Sequence, residues 1–341
     1  MNRKTKSLLL IFGGRSGEHE VSVRSAAHLY GRLTAHNVYV YPLYVAKNGK
    51  LFRYGGSFTG SGIPEKKELH PVSLIADGEK ARLSEPFRKP FYPDAAFPVI
   101  HGTYGEDGVL QGLLTALRLP FVGCDTLSSA LGMHKGVAKT LCLSKGIPAC
   151  PFLTASDPSR DAEEAEKNFS YPLVVKPASS GSSLGVSQAE DRQSLVLALQ
   201  NALTFSPEAI IEPFLTAREI EVGVMEKDGK LIVSLPGEVE APGVYDYDTK
   251  YRLSTAKTLV PAPLSPSRTE EVQSLALNVF RALHCRHYAR VDFFLTEEEG
   301  FLFNEINTVP GFTSVSLFPA VWRASGVNPE EALLSLYDGI Y

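Results

Sequence analysis

Two apolar runs near the C-terminus, Ala289 to Thr296 and Phe301 to Ile306, carry polar residues at spacings suited to holding a cation. The turn-like Glu297-Glu298-Glu299-Gly300 separates them, a loop length common in hairpins. Closing the hairpin there pairs Thr296 with Phe301 and Leu295 with Leu302, which sets Asp292 opposite Glu305 and Arg290 opposite Asn307. Strand side chains alternate, so these four groups share one face. Carboxylates directly opposite each other repel unless positive charge lies between them. Hard oxygen donors suit Mg²⁺, which takes one or two carboxylates and completes its shell with phosphate and water oxygens. A solvated hairpin face is the plainer explanation for acids on a strand pair. Here, however, the neighbours Val291, Phe293, Ile306 and Phe301-Leu302-Phe303 are apolar, and Pro310-Gly311 turns the backbone directly afterwards. That context favours a catalytic face.

A second group lies further upstream. Pro172-Leu173-Val174-Val175-Lys176-Pro177 reads as a strand ending in a lysine, and Ala178-Ser179-Ser180-Gly181-Ser182-Ser183-Leu184-Gly185-Val186 follows it. Small residues let backbone N–H groups approach phosphate oxygens, and serine hydroxyls add donors. No Gly-Lys-Ser/Thr closes the loop, so it is not a P-loop. Alone it would be a flexible connector; beside Lys176 and a cation site it is expected to cover phosphates. His284-Cys285-Arg286-His287 carries metal-ligand chemistry but reads as surface or core, and no zinc site is assigned. No Ser/His/Asp or Cys/His set stands out for covalent catalysis.

These groups need elements to position them. At 341 residues the chain suits two or three domains of roughly 100–150 residues, with room for a cleft between them. Hydrophobic content of 44% with 21% charged residues is a folded globular profile. A net charge of −4 without a basic block gives no support to a nucleic-acid or anionic-membrane surface. Cys124, Cys142, Cys150 and Cys285 show neither metal spacing nor the density of a disulfide scaffold, and read as reduced thiols of a cytoplasmic protein. Arg3, Lys4 and Lys6 precede only Leu8 to Phe12, too short for a signal peptide, and no run approaches the ~18 apolar residues of a membrane span.

Ser7 to Phe12, the glycine turn Gly13 to Gly17 and a helix from Glu18 to about Leu33 suggest a Rossmann-like opening, with further strands at Val38 to Val45 and Ala96 to Ile100. Repeated βα units imply a parallel sheet. Gly13-Gly14-x-x-Gly17 is not a dinucleotide fingerprint, so an oxidoreductase rests on this opening alone and leaves the carboxylate hairpin unexplained. Lys47 to Pro93 reads as an irregular insertion with short hairpins. A helix around Met133 to Lys145 leads to a smaller α/β unit, with strands at Pro172 to Lys176 and Ile210 to Phe214 and helices after Asp161 and around Leu195 to Leu203. Alternating Ile220, Val222 and Val224, joined through Asp228-Gly229 to Leu231 to Ser234, form a hairpin signal and hence antiparallel sheet.

With these pieces in place, the chain resembles the D-alanine–D-alanine ligases of the ATP-grasp superfamily along nearly its whole length. The resemblance rests on Gly13-Gly14-Arg15-Ser16-Gly17-Glu18-His19-Glu20-Val21-Ser22, His101-Gly102-x-x-Gly105-Glu106-Asp107-Gly108 and Lys176-Pro177-x-x-x-Gly181-Ser182-Ser183-x-Gly185-Val186. Tyr245-Asp246-Tyr247-x-x-Lys250-Tyr251, Ala289-Arg290-Val291-Asp292 and Asn304-Glu305-Ile306-Asn307-Thr308-x-Pro310-Gly311-Phe312-Thr313 continue it in the family's order. It implies an α/β fold, α+β in its ATP-grasp part. A Rossmann-like N-terminal domain (1–124) is followed by central (125–216) and C-terminal (217–341) ATP-grasp subdomains, with ATP between the last two. The implied reaction phosphorylates the carboxylate of one D-alanine and joins it to the amine of a second, in peptidoglycan precursor synthesis.

The resemblance also implies roles. Glu18 would bind the first substrate's ammonium, in a hydrogen-bonded set with Ser182 and Tyr251, and His101 would help place that substrate. Arg290 and the Gly311 N–H would stabilise the tetrahedral oxyanion, while Ser316 and the Leu317 backbone would hold the second carboxylate. Lys135, Lys176 and Lys250 would meet phosphates, with Ser182, Ser183 and Asn304 in the same site. Glu212, Phe214 and Leu215 would frame the adenine, and Glu219 would contact the ribose. Asp292, Glu305 and Asn307 match the ligands of two Mg²⁺ or Mn²⁺ ions. The stretch Gly237 to Leu259 would fold over the site, Tyr251 points to D-alanine rather than D-lactate as second substrate, and a homodimer is expected. Met133-His134-Lys135 departs from the family, which commonly has Asp or Asn in its middle.

Overall fold

The computed structural model describes residues 7–36, 38–58, 64–240, 257–298, 300–313 and 316–339. Strand β1 (Ser7–Gly13) is buried along its whole length. It pairs in parallel with β2 (Tyr39–Val45) on one side and with a strand over Ala95–Pro98 on the other. The expected parallel arrangement therefore holds for these three strands. The insertion does more than expected, because β3 (Leu51–Tyr54) and β4 (Leu69–Pro71) extend the sheet antiparallel beyond β2. Next come a separate hairpin, β5 (Ser73–Asp77) with β6 (Lys80–Ser84), and the Ala95–Pro98 strand, β7. Helix α1 (His19–Ala35) packs Val23, Ala26, Leu29 and Leu33 onto the sheet, the spacing of one apolar helix face.

After α2 (Val109–Ala116), a short helix not singled out in the sequence, α3 (Thr126–Met133), precedes the helix expected around Met133 to Lys145, which is α4 (Lys135–Ser144). His134 breaks between them at ψ 97 and caps α4 by accepting the Val137 N–H at 3.3 Å. A four-stranded unit follows, made of β8 (Leu153–Ala155), β9 (Leu173–Pro177), β10 (Ser187–Ala189) and β11 (Ala209–Pro213). All its pairings are antiparallel, and α5 (Pro158–Asn168) and α6 (Arg192–Ala202) cover its apolar face.

The last sheet contains β12 (Arg218–Lys227), β13 (Lys230–Val233), β14 (Gly237–Glu240), β15 (Lys257–Leu259), β16 (Tyr288–Thr296) and β17 (Gly300–Asn307). Asp228 and Gly229, both left-handed at φ 51 and 73, make the two-residue turn that Asp-Gly signals. Helix α7 (Pro266–Ala282) packs on this sheet, and α4 shares the same apolar cluster through Ala138 and Cys142. Helices α8 (Leu317–Ala324) and α9 (Pro329–Gly339) close the chain.

The first and last sheets share one hydrophobic cluster. Phe97, Tyr288, Phe312, Phe318 and Trp322 meet edge-on or tilted, with successive ring centroids 5.5 to 6.3 Å apart. The four-stranded unit has a cluster of its own. Trp322 is fully buried at the end of the aromatic chain. Trp322→Ala is expected to lower stability by about 3–5 kcal/mol in urea unfolding, and a loss under about 1 kcal/mol would show that the shared cluster does not join these sheets.

Candidate active site

The C-terminal hairpin pairs Asp292 with Glu305 and Arg290 with Asn307, as the sequence predicts, but by a different route. At the turn end the expected pairing is one residue out: Thr296 faces Gly300 and Leu295 faces Phe301. A bulge between Asp292 and Phe293 then adds Asn304 as an extra residue on β17 and restores the expected register. The bulge has a chemical consequence. Strict alternation would send Asn304 and Glu305 to opposite faces, yet both line one cavity of about 330 Å³ between the four-stranded unit and the last sheet.

The charge balance also differs from expectation. Glu221 on β12 is the cross-strand neighbour of Asp292, so three carboxylates, Glu221, Asp292 and Glu305, stand in a row across three strands. Arg290 forks onto Asp292, with Nε and one terminal nitrogen each 2.7 Å from a carboxylate oxygen, and its Nε lies 3.0 Å from Glu221. Burial by itself would depress the guanidinium's pKa, but Asp292 and Glu221 hold it well above the usual value. Lys135 Nζ lies 3.2 Å from Glu305. The positive charge that lets these acids coexist thus includes two side chains of the protein.

Asp292 and Glu305 still offer hard oxygens on the cavity side, and Asn307 Oδ1 accepts the Val309 N–H at 3.0 Å, which fixes its amide. Among the described residues no group of three or more His, Cys, Asp or Glu is placed to cage a metal. Two carboxylates and an amide beside a cavity fit Mg²⁺, which shares its shell with phosphate and water.

The glycine-serine loop leaves β9 beside this row. Ser182 and Ser183 are left-handed at φ 53 and 54, a conformation that costs non-glycine residues about 1–3 kcal/mol each. Lys135 Nζ donates to the Ser180 carbonyl at 2.7 Å, tying the loop to the start of α4. Lys176 lies 2.6 Å from Glu212, donates to Asn304 Oδ1 at 3.2 Å and stands over the Phe294 ring. Lys135, Lys176, Ser182, Ser183, Glu212, Phe214, Leu215, Glu219, Arg290, Asp292, Asn304 and Glu305 all line the same cavity.

A second cavity of about 470 Å³ continues from it and is lined by Glu18, His101, Ser182, Arg290, Asn307, Gly311, Ser316 and Leu317. Ser182 donates its hydroxyl to Glu18 across the cleft, from the loop after β9 to the start of α1. Glu18 has room because Gly102 and Gly181 lack side chains: a Cβ would meet its Oε2 at 2.7 and 3.0 Å respectively. His101 is buried and both its nitrogens are engaged, Nδ1 with the Val309 carbonyl at 2.8 Å and Nε2 with Ser25 Oγ at 3.0 Å. Burial would lower its pKa, but Glu106 at 3.5 Å raises it overall. Its contacts make it a tie between α1 and the loop before Gly311. Ser316 Oγ accepts the Thr313 N–H at 3.0 Å beside Gly311. Lys250 and Tyr251 lie outside the described residues. His134 Nε2 donates to Glu208 at 2.9 Å, so the unusual residue before Lys135 serves the helix cap and this hydrogen bond.

Two family models match the chain, D-Ala–D-Ala ligase N-terminus over residues 7–124 and D-Ala–D-Ala ligase C-terminus over residues 141–337. The chain belongs to the D-alanine–D-alanine ligase family. A D-alanine–D-alanine ligase of Heliobacterium modesticaldum is 38% identical over 98% of this chain and 94% of its own length. One from Legionella pneumophila is 38% identical over 95% and 92%. Among solved structures, the VanG D-Ala:D-Ser ligase of Enterococcus faecalis superposes with a TM-score of 0.88 at 33% identity, covering 99% of this chain and 100% of the other. The D-alanine–D-alanine ligase of Coxiella burnetii gives 0.87 at 30%, covering 99% and 94%. The mixed α/β architecture is thus that of ATP-grasp D-alanine ligases.

Sequence reasoning missed Glu221 and Lys139, which pair with site residues distant in sequence and carry no local motif. Arg290→Met leaves the carboxylate row short of its central cation. It is expected to cost about 3–5 kcal/mol in urea unfolding, part of it regained with millimolar Mg²⁺. A variant as stable as the parent, with or without the metal, would show that the row needs no such charge.

Proposed function

We propose that the chain is a cytoplasmic, ATP-dependent ligase that joins two D-alanines into D-alanyl-D-alanine for peptidoglycan precursor synthesis. The observation that carries this reading is the placement of Glu18, bonded to Ser182, on the same cavity as Arg290 and the carboxylate row. An amino-acid ammonium and an electrophilic carboxyl group need those two ends. The family match supports it over nearly the whole chain. No helix among the described residues is long and apolar enough to cross a membrane. The reading keeps three units, 1–124, 125–216 and 217–341, with ATP between the second and third.

In this reading Glu18 binds the first D-alanine's ammonium, and Ser182 holds that carboxylate in place. Lys135 and Lys176, with Lys250, meet the phosphates of ATP, and Ser183 and Asn304 add polar contacts. Phe214 and Leu215, with Glu212, frame the adenine, and Glu219 reaches the ribose. Two Mg²⁺ or Mn²⁺ ions, held by Asp292, Glu305 and Asn307, would neutralise charge on the transferred phosphoryl group. ATP passes its γ-phosphoryl group to the first substrate's carboxylate, leaving ADP and an acyl phosphate; the second D-alanine's amine attacks that carbonyl, gives up a proton, and phosphate leaves. Arg290, charged at any working pH, and the Gly311 N–H stabilise the oxyanion that forms. Ser316 and Leu317 hold the second carboxylate at the start of α8, where backbone N–H groups lack helical partners. A homodimer belongs to the same reading, with exposed Val109 and Leu113 on α2 as apolar surface for it to cover; a monomer mass by light scattering would remove it.

Purified protein with ATP, Mg²⁺ and D-alanine is expected to release phosphate, and no release above an L-alanine control would sink the reading. Because one solved relative is named for D-serine, the second substrate is decided by offering D-alanine, D-serine and D-lactate together and reading product mass. D-Alanyl-D-alanine is expected to dominate at neutral pH. Glu305→Gln is expected to cut turnover about 100-fold or more while leaving the urea midpoint nearly unchanged. An unaltered rate would mean that Glu305 holds no metal.

A further inference from the structure

Lys139 has no part in the roles above, yet among the described residues it is the most deeply buried lysine of the site. It lies one helical turn beyond Lys135 on α4, and its side chain has no exposure. Removing an ammonium from water costs several kcal/mol, so such a group persists only where close partners compensate. Lys139 has two. Its Nζ stands 2.9 Å from Glu212 Oε1, and it donates to the Phe303 carbonyl at 3.2 Å.

Both partners lead to the nucleotide cavity. The other oxygen of Glu212 holds Lys176 at 2.6 Å, so the buried cluster runs Lys139, Glu212, Lys176 and carries net single positive charge. Without Lys139 the remaining pair would be neutral, and a phosphate would compete with a buried carboxylate for Lys176. Phe303 is the last residue before the bulged Asn304, and its carbonyl also accepts the Cys150 N–H at 3.2 Å. Lys139 therefore grips the strand where it turns both Asn304 and Glu305 toward the cavity.

We propose that Lys139 is a positioning residue for nucleotide binding, which neutralises Glu212 so that Lys176 keeps its charge for phosphate, and which anchors the bulge that presents Asn304. The inference rests on the ATP reading above. The depressed pKa of Glu212, which burial opposes and the two lysines impose, agrees with an ionised carboxylate held between them. A purely structural lysine would affect folding without singling out the phosphates.

The test uses the full chain with Lys139→Met, Lys139→Gln and Lys139→Arg. Lys139→Gln can still donate a hydrogen bond and keeps the test standing if the methionine variant fails to fold. Affinities for ADP and adenosine are measured by calorimetry and competition, and KM is measured separately for ATP and D-alanine. The neutral variants are expected to weaken ADP binding and raise the ATP KM about tenfold or more, with adenosine affinity and the D-alanine KM moved less than about twofold. Lys139→Arg, which restores the charge, is expected to recover most of the ADP affinity. Equal weakening of ADP and adenosine, or ADP affinity unchanged in a folded neutral variant, would overturn the inference. Absence of wild-type turnover with D-alanine and ATP would instead overturn the ligase reading, so the two failures are separable.

Discussion

The site is organised by like charges forced to be neighbours. Glu221, Asp292 and Glu305 occupy one rung across β12, β16 and β17, where sheet geometry fixes their spacing and electrostatics opposes it. Two cations answer to that rung: Arg290 forks onto Asp292 and touches Glu221, and Lys135 reaches Glu305. Charges held this way are fixed before any ligand arrives, so under the proposed reading they would need no rearrangement as charge develops between them, which is how a preorganised site lowers a barrier. The rung also places Arg290 on a strand rather than a loop, so its position is as rigid as the sheet.

Around the rung the fold supplies complementary edges. The loop after β9 brings Ser182 across to Glu18 at the head of α1, and two glycines give that carboxylate its room. His101, buried between α1 and the segment before Gly311, ties the N-terminal sheet to the C-terminal loop. The residues proposed for substrate binding therefore come from strands of, or segments joined to, the three larger sheets.

How far this was legible in the sequence depended on whether a residue's partner was local. The Asp228-Gly229 hairpin and α1 could be read from alternation, helix period and turn chemistry. The facing of Asp292 and Glu305 was predicted correctly although the turn end was assigned one residue out, because the bulge at Asn304 supplied the missing residue. No pattern in Phe301 to Asn307 announces that bulge, and the backbone of Phe303 beside it bonds to Pro148, Cys150 and Lys139, all distant in sequence. The strands of the insertion were seen only as hairpins, since joining the main sheet is decided by β2. Glu221 and Lys139 were invisible for the same reason: their meaning lies in partners from other strands and helices.

The separate core of the four-stranded unit has a thermodynamic consequence. The N-terminal and C-terminal sheets share apolar contacts, so prying them apart would expose aromatic surface to water. The four-stranded unit keeps its own cluster, and the bonds it makes across the cleft are polar: Ser182 to Glu18, Ser180 to Lys135, Lys176 to Asn304. Hydrogen bonds exchanged for bonds to water are worth only about 0.5–1.5 kcal/mol each, or about 1.5–3 kcal/mol where charged groups take part. Separating that unit from the other two would therefore break polar contacts, the buried Lys139–Glu212 pair among them, rather than an aromatic core, and the wall bearing Arg290 and the acids belongs to the side that the core holds together.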